Sequence, residues 1–376
     1  MLVSSTAIAE DAAHEETPKE EGNAVPTAKK EGPKKVPPSK MLPDPRGRVD
    51  LTICSQNLNN FGPQKLTSVR LGIDAAGYQE KQKAIAQRII STKCDVVALQ
   101  EVLSKSEEEG KEILKQLSKE IRFLGGRVFD FQVSSSNENS IRNGFLVAKD
   151  RAEIINSLGY SKVELPKISE KQKPRLFLRS PFEIQLMTKS LDEGKPKSIT
   201  LINFHSKSKS GSAKDPTELE WETYRMEMSE AIRRIVEVRH RPSLLSSENL
   251  LVVLGDRNAN FDLASAKILE GSLRLSDFME DSFCRLSKRG VPLCKPGARS
   301  TQVLFSVVTD DPQSKLRPGT YTYKNVFSFI DDILLPAESL PFAWASYDKA
   351  GDYDSGIVYN PKAASDHAMV YVRLNW

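Results

Sequence analysis

The chain is poor in histidine, with four in 376 residues, and equally poor in cysteine, with four at positions 54, 94, 284 and 294. No two cysteines stand at zinc-ribbon spacing, which excludes a structural zinc module of that kind. No run reaches the roughly 18 apolar residues that a membrane-crossing helix needs, so an integral membrane protein is not expected. A P-loop, a dinucleotide-binding glycine motif and an HExxH zinc motif are all missing. A dominant charge is missing too: 54 basic and 50 acidic residues leave a formal +4. That excludes a heavily basic packaging protein and leaves room for a local basic groove.

Aromatic residues are absent before Phe61. The first 50 residues also hold seven of the 21 prolines, with eight basic and nine acidic side chains. Such a segment cannot bury enough apolar surface to offset the entropy of ordering it. The division expected is a disordered tail over 1–48 and one folded domain over 49–376. The opening MLVSSTAIAEDA ends a small-x-small pattern at Ala9, without a basic start or a full apolar stretch. It reads either as the remnant of a signal region or as a plain flexible tail. A secreted or periplasmic location is favoured over a cytoplasmic one.

From Leu51 onward, strands and helices alternate. LTIC, DVVALQ, FDFQV, GFLVAK, FEIQLMTK, SITLINFH, LLVVLGD, YTYK, FIDDILL and AMVYVRL read as strands, several apolar throughout and hence covered on both faces. Residues 78–93 place Ile85, Ile89 and Ile90 on one helical face, and 107–121 read as a second helix. A long helix is expected over 216–240, capped by Asp215 with Pro216 in its first turn. The stretch 262–318 is poorly patterned and is expected to hold long loops. This interleaving argues for a layered α/β protein. Cys54 and Cys94, in apolar runs, read as buried free thiols. Cys284 and Cys294 flank SKRGVP and could bridge a hairpin-like loop or stay free.

The chemistry gathers where the apolar runs stop. LTICSQN ends in Asn57, DVVALQE in Gln100 and Glu101, LINFH in His205, and LLVVLGDRN in Asp256 and Asn258. LFLRSP offers Arg179, FSFID offers Asp331, and a turn before the last strand offers Asp366 and His367. Strand ends are where layered α/β folds assemble their sites. Carboxylates and carboxamides suit a hard cation such as magnesium. Two imidazoles and a guanidinium suit proton transfer and stabilisation of charge on a phosphate.

Taken together, the segments TICSQNLNNFG, VVALQEV, LRSPFEI, INFHSKSKSG, VVLGDRNAN, FSFIDDILL and SDHAMV resemble the endonuclease/exonuclease/phosphatase superfamily, nearest in motif to DNase I-like nucleases. They cover roughly 51–376 in the family's order. The resemblance implies a four-layer αββα sandwich with its site at the top of the two central sheets. It implies that Glu101, supported by Asn57, is the principal metal carboxylate, and that Asp366 is a further metal or phosphate ligand. Asp256 and Asn258 would hold the scissile phosphate and, in some members, a second metal. His205 and His367 would be the catalytic imidazoles, with Asp331 orienting His367 and Arg179 near the phosphate and Glu101. In this reading His367 deprotonates the attacking water and His205 protonates or stabilises the leaving oxygen. The implied cofactor is Mg2+, with Mn2+ or Ca2+ possible. Lys207, Lys209 and Arg257 are candidate contacts to substrate phosphates.

Departures from the pattern set the subclass. His205 stands where abasic-site repair enzymes usually carry tyrosine, and Ser328 where they tend to carry tryptophan. Both favour a DNase I-like phosphodiesterase. Arg257 replaces the usual phenylalanine, Gln56 replaces an aromatic, and the acidic partner of the first histidine has no clear candidate beyond Glu138. Tyr321 and Tyr323 could stack on a sugar or base, or pack in the core. The function expected is metal-dependent endonucleolytic hydrolysis of DNA with little sequence preference, by a monomer. Alternatives are a superfamily enzyme acting on a phospholipid, as a sphingomyelinase does, or on an inositol phosphate, and a catalytically dead binding module. A lipid enzyme is expected to carry an exposed aromatic hairpin, and none is evident in the sequence.

Overall fold

Every apolar strand expected from the sequence is present in the structure, a computed structural model. It describes residues 50–189, 196–209, 219–279, 283–297, 301–311, 318–323, 325–346 and 349–375. The expected tail, 1–48, lies outside these residues. All described residues belong to one unit, Asp44–Trp376.

Numbered along the chain, the first sheet runs edge to edge as β15 (Ser355–Val358), β16 (Met369–Asn375), β1 (Asp50–Phe61), β2 (Val96–Leu103), β4 (Ile141–Ala148) and β3 (Phe129–Val133). The second runs as β11 (Leu304–Ser306), β14 (Asp331–Pro336), β8 (Asn249–Asp256), β7 (Ser198–His205), β6 (Phe182–Thr188) and β5 (Ala152–Gly159). Two hairpins stand outside the sheets: β9 (Cys284–Leu286) with β10 (Pro292–Cys294), and β12 (Tyr321–Tyr323) with β13 (Val326–Ser328). The helices are α1 (Gln64–Leu71), α2 (Ala75–Thr92), α3 (Glu107–Phe123), α4 (Glu222–Arg239), α5 (Arg241–Leu245) and α6 (Ala264–Glu270).

Alternation along the strands sorts the apolar side chains into layers. Ile53, Val96 and Ala98 meet Ile199, Leu201, Leu250 and Val252 between the sheets. Their neighbours Cys54, Val97 and Leu99 face outward onto Ile85, Ile89, Leu114 and Leu117 of α2 and α3. Leu251, Val253 and Ile202 face the other way onto Met228, Ile232 and Val236 of α4. The result is helix, sheet, sheet, helix. At the centre of each sheet lies one parallel pair, β1 with β2 and β7 with β8. Parallel neighbours need a crossover, and α2 and α4 supply it, so the carboxyl ends of all four strands open on one rim.

A polar bridge joins the sheets just below that rim. Asn203 donates to the carbonyls of Leu99 at 3.0 Å and Gly144 at 2.9 Å, and accepts from Gln100 at 2.8 Å. All these groups are buried, so the bridge fixes the relative register of the sheets at the level of the site.

Three expectations change. Cys54 and Cys94 are a disulfide rather than free thiols, and Cys284–Cys294 is a second one. α4 begins at Glu222, after a turn at Glu220 and Trp221, rather than at 216, and Trp221 makes no side-chain capping bond. The proposed cap Asp215 and Pro216 lie outside the described residues. The stretch 262–318 carries α6, the β9–β10 hairpin and β11 as well as loops.

Candidate active site

The site is laid out by strand register. His205 on β7 pairs with Asp256 on β8, and Asp256 pairs with Asp331 on β14. Three chemically active side chains therefore sit side by side across three strands. Gly255 makes this possible: its φ is +146°, and a Cβ there would fall 1.9 Å from the Phe204 carbonyl oxygen, so only glycine fits. His367, just before β16, extends the row. Its Nδ1 lies 2.9 and 3.1 Å from the two Asp331 carboxylate oxygens.

The first sheet adds Glu101 through a bulge. The pairing of β2 with β4 slips between Leu99 and Val102, and that of β1 with β2 slips between Asn57 and Phe61. Glu101 has φ +59°, a left-handed backbone that a glutamate adopts only when its surroundings impose it. The bulge aims its carboxylate inward, where Asn60 N–H donates to Oε2 at 2.9 Å and Asn57 Nδ2 lies 3.3 Å from Oε1. The same Asn57 amide donates to Asp256 at 3.0 Å, while its oxygen accepts from Asn59 N–H. Asn57 thus clamps the carboxylates of the two sheets together.

Arg179 reaches the row from the loop before β6. Its Nη1 stands 2.7 Å from His205 Nε2 and donates to the Ser206 carbonyl at 3.1 Å; its Nε donates to Glu138 at 2.8 Å. Glu138, the candidate partner for the first histidine, therefore holds the arginine instead of the imidazole. His205 Nε2 is also 3.4 Å from Asp256 and 3.8 Å from Glu101. Asn258, with φ +50°, donates from its side chain to Asp256 and to the Ser206 carbonyl. Lys207 lies over the Trp221 ring at 4.6 Å, and Arg225 of α4 donates to the Lys207 carbonyl, so α4 anchors the chain after His205. Lys209 follows two residues on, half-buried.

Several contributors escaped sequence reading. Arg88, fully buried on α2, donates to the carbonyls of His367, Tyr359 and Pro361 and to Gln56 Oε1, at 2.6–2.9 Å. It braces the turn that carries His367, and Gln56, which stands where an aromatic was expected, is its partner. Lys81 donates to the Ala364 carbonyl of that turn at 2.9 Å, and burial pushes it down to about 8 despite nearby Asp366 and Glu101. Tyr321 packs on His367 with ring centroids 4.6 Å apart. A charged residue inside an otherwise amphipathic helix was the only signal for Lys81 and Arg88. Asp366 lies exposed at the lip and accepts from the Ser365 hydroxyl, apart from the compact cluster.

Electrostatics divide the two imidazoles. Burial, then the Arg179 charge, hold His205 well below the ordinary histidine value. It is neutral at pH 7. Burial opposes charge on His367 as well, but Asp331, with Asp256 and Asp366 behind it, outweighs it and holds that ring up at about 10. Burial and then the Asp331 charge push Asp256 up to about 7. Without a bound cation, His205 is therefore the less basic ring and His367 the more basic one.

The residues fit a divalent cation. Asp256, Asp331 and His367 present ligand atoms within 4.8 Å of one another, and the strain of crowding carboxylates, visible in Asp256, is what such a cation relieves. Glu101 adds another oxygen donor beside Asp256.

Two expectations fail against the geometry. Arg257 is turned inward: it is 2% exposed, 2.9 Å from Asp332 and 3.7 Å from Glu270. It neutralises a buried aspartate that the usual phenylalanine would not need to. An exposed aromatic hairpin does exist: β12–β13 presents Tyr323, Val326 and Phe327, each at least half exposed, next to Tyr321 and His367.

No family model and no curated protein matches the sequence. Among solved structures, ANGEL2, a 2′,3′-cyclic phosphatase in complex with adenosine-2′,3′-vanadate, superposes with a TM-score of 0.51 at 13% identity, over 88% of this chain and 97% of that one. An endonuclease/exonuclease/phosphatase family protein from Bacteroides thetaiotaomicron gives 0.48 at 15% identity over 87% and 98%. The human nocturnin catalytic domain with bound sulfate gives 0.48 at 13% over 87% and 95%. The layers, the strand order and the overlay with ANGEL2 agree: this chain has the DNase I-like fold of the endonuclease/exonuclease/phosphatase superfamily.

Proposed function

We propose that the protein is a metal-dependent phosphodiesterase that hydrolyses DNA with little sequence preference. The observation that carries this reading is the contiguous row His205, Asp256, Asp331 and His367, set by strand register and faced by Glu101 and Arg179. A bound Mg2+ would neutralise charge on the scissile phosphate and polarise it, with Asp256, Asp331 and Glu101 as the residues able to hold it. Arg179 turns from His205 to a phosphoryl oxygen. His205, then free at Nε2 and neutral, accepts the proton of the attacking water. His367, charged and held by Asp331, donates to the leaving oxygen. Asn258 and Asn57 keep Asp256 and Glu101 in place, and Lys207 and Lys209 contact neighbouring phosphates. Two disulfides support an oxidising compartment.

The test is nicking of supercoiled plasmid with Mg2+. Loss of nicking in EDTA and in His205→Ala supports the reading; persistent nicking in His205→Ala overturns the site. A second reading, a phospholipid phosphodiesterase, is favoured by one observation, the exposed Tyr323, Val326 and Phe327 hairpin beside the site. Release of phosphorylated headgroup from sphingomyelin or phosphatidylcholine vesicles, with plasmid left intact, would select it.

A further inference from the structure

The β9–β10 hairpin is stapled by the Cys284–Cys294 cross-strand disulfide. Its pairing puts Arg285 opposite Leu293, and Lys295 N–H donates to the Phe283 carbonyl. Side chains two apart share a face. Phe283, Arg285, Leu293 and Lys295 therefore form one outward face, and all four are exposed. The turn adds exposed Lys288 and Arg289. The described segment 283–297 contains no acidic residue, and no ion pair among the described residues engages these four cations. The acids just upstream, Glu280 and Asp281, lie outside the described residues.

The hairpin's place matters. Gly290 at its turn packs against Leu219, Leu263 and Glu222, and its carbonyl accepts from Ala264 N–H at 3.0 Å. Glu222 opens α4, whose neighbour Trp221 lies beneath Lys207 and whose Arg225 holds the Lys207 carbonyl. The start of α4 thus supports both the turn of the hairpin and the Lys207 loop beside Arg179.

We propose that this hairpin is an exosite for the polynucleotide strand flanking the scissile phosphate. Its cations would neutralise phosphates, and Phe283 and Leu293 would lie against sugars or bases. This rests on the reading of the site as a nuclease. The interleaving of cations with single apolar side chains suits a chain in which charge and π-faces alternate. A bilayer surface would call for a contiguous apolar wedge. A disulfide on the opposite face keeps the two short strands in register without using the binding face.

The test compares the full-length protein with the variant R285S/K288S/R289S/K295S. Affinity for a fluorescent 30-base-pair duplex is measured in EDTA across a salt series, alongside turnover of bis(p-nitrophenyl) phosphate with Mg2+. The expected result is at least tenfold weaker DNA binding at low salt. The slope of log affinity on log salt should be shallower by about 0.9 for each phosphate no longer neutralised, and small-ester turnover unchanged. A charge-retaining variant, R285K/K288R/R289K/K295R, should bind as wild type. If the quadruple variant also loses small-ester turnover, the single variants Arg285→Glu and Lys295→Glu decide by the same slope. Unchanged DNA affinity and slope overturn the exosite, as does hairpin-dependent binding to phosphatidylglycerol vesicles with DNA binding intact. Wild-type protein that leaves plasmid uncut overturns the nuclease reading itself, whereas plasmid cut equally by wild type and variants removes the exosite alone.

Discussion

Arg179 Nη1 lies 2.7 Å from His205 Nε2, and both side chains are buried. A guanidinium can only donate. The imidazole nitrogen facing it must therefore carry a lone pair, which puts the ring proton on Nδ1, an atom with no hydrogen-bond partner among the described residues. The pair holds His205 in one tautomer, and Glu138 holds the pair.

Glu138→Gln tests that chain. A charge-assisted bond of this kind contributes about 1.5–3 kcal/mol, so the expected loss is about ten- to a hundredfold in kcat, with little change in KM or Tm. Restoration of kcat by Glu138→Asp, and a changed His205 15N shift in Glu138→Gln, would separate positioning from general damage. Wild-type kcat in Glu138→Gln would remove Glu138 from the mechanism.

His367 gives a pH signature. In metal-free protein its ring should titrate at about 10 by NMR and fall well below that in Asp331→Asn. Because the folded-state value lies above the ordinary 6.5, the pair adds stability that is complete below about pH 6.5 and is lost as pH rises towards about 10. Asp331→Asn should flatten that part of the stability curve and reduce turnover by about two orders of magnitude or more, in the range of proton-transfer catalysis.

Arg257 predicts a stability effect without a binding effect. Arg257→Ala leaves Asp332, fully buried, without its charge partner, and should cost about 3–5 kcal/mol in urea unfolding. The paired replacement Arg257→Met with Asp332→Leu should recover most of it. A duplex affinity lowered in the doubly replaced, folded protein would return Arg257 to the substrate site.

The two disulfides should separate under reductant. Cys294 is exposed, whereas Cys54 and Cys94 are almost fully buried. Dithiothreitol without denaturant, followed by alkylation and mass spectrometry, should label Cys284 and Cys294 first. By chain entropy, removing the 40-residue closure of Cys54–Cys94 should cost roughly 4 kcal/mol, against roughly 3 kcal/mol for the 10-residue closure of Cys284–Cys294. Equal labelling of both pairs in folded protein would contradict the buried bridge.

The strand ends were readable because each apolar run stops on a polar residue, and Asn57, Glu101, His205, Asp256, Asp331 and His367 all converge. What was not readable depends on approach between distant segments. Cys54 and Cys94 look like core thiols until a helical crossover brings β1 beside the start of β2. Arg257 reads as a phosphate contact until Asp332, one residue after Asp331, turns to the opposite side of β14 and pairs with it. The proton assignment rested on analogy, while the charges around each imidazole depend on Arg179 and Asp256, which only the folded chain supplies. The β12–β13 hairpin was missed because YTYK reads as a lone strand and its three-residue partner Val326–Ser328 is too short to stand out.

In the first sheet β1, the first described strand, lies between β2 and β16, the last described one. Residues 57 and 367 must both be present, and β16 docked, before the row of side chains is complete. During synthesis on the ribosome the chain therefore remains without a finished centre until β16 emerges, and long-range pairing of this kind forms late. A truncated product that loses β16 loses the strand that docks beside β1 and carries the turn of His367. The topology itself delays completion of the row until nearly the whole described domain has been made.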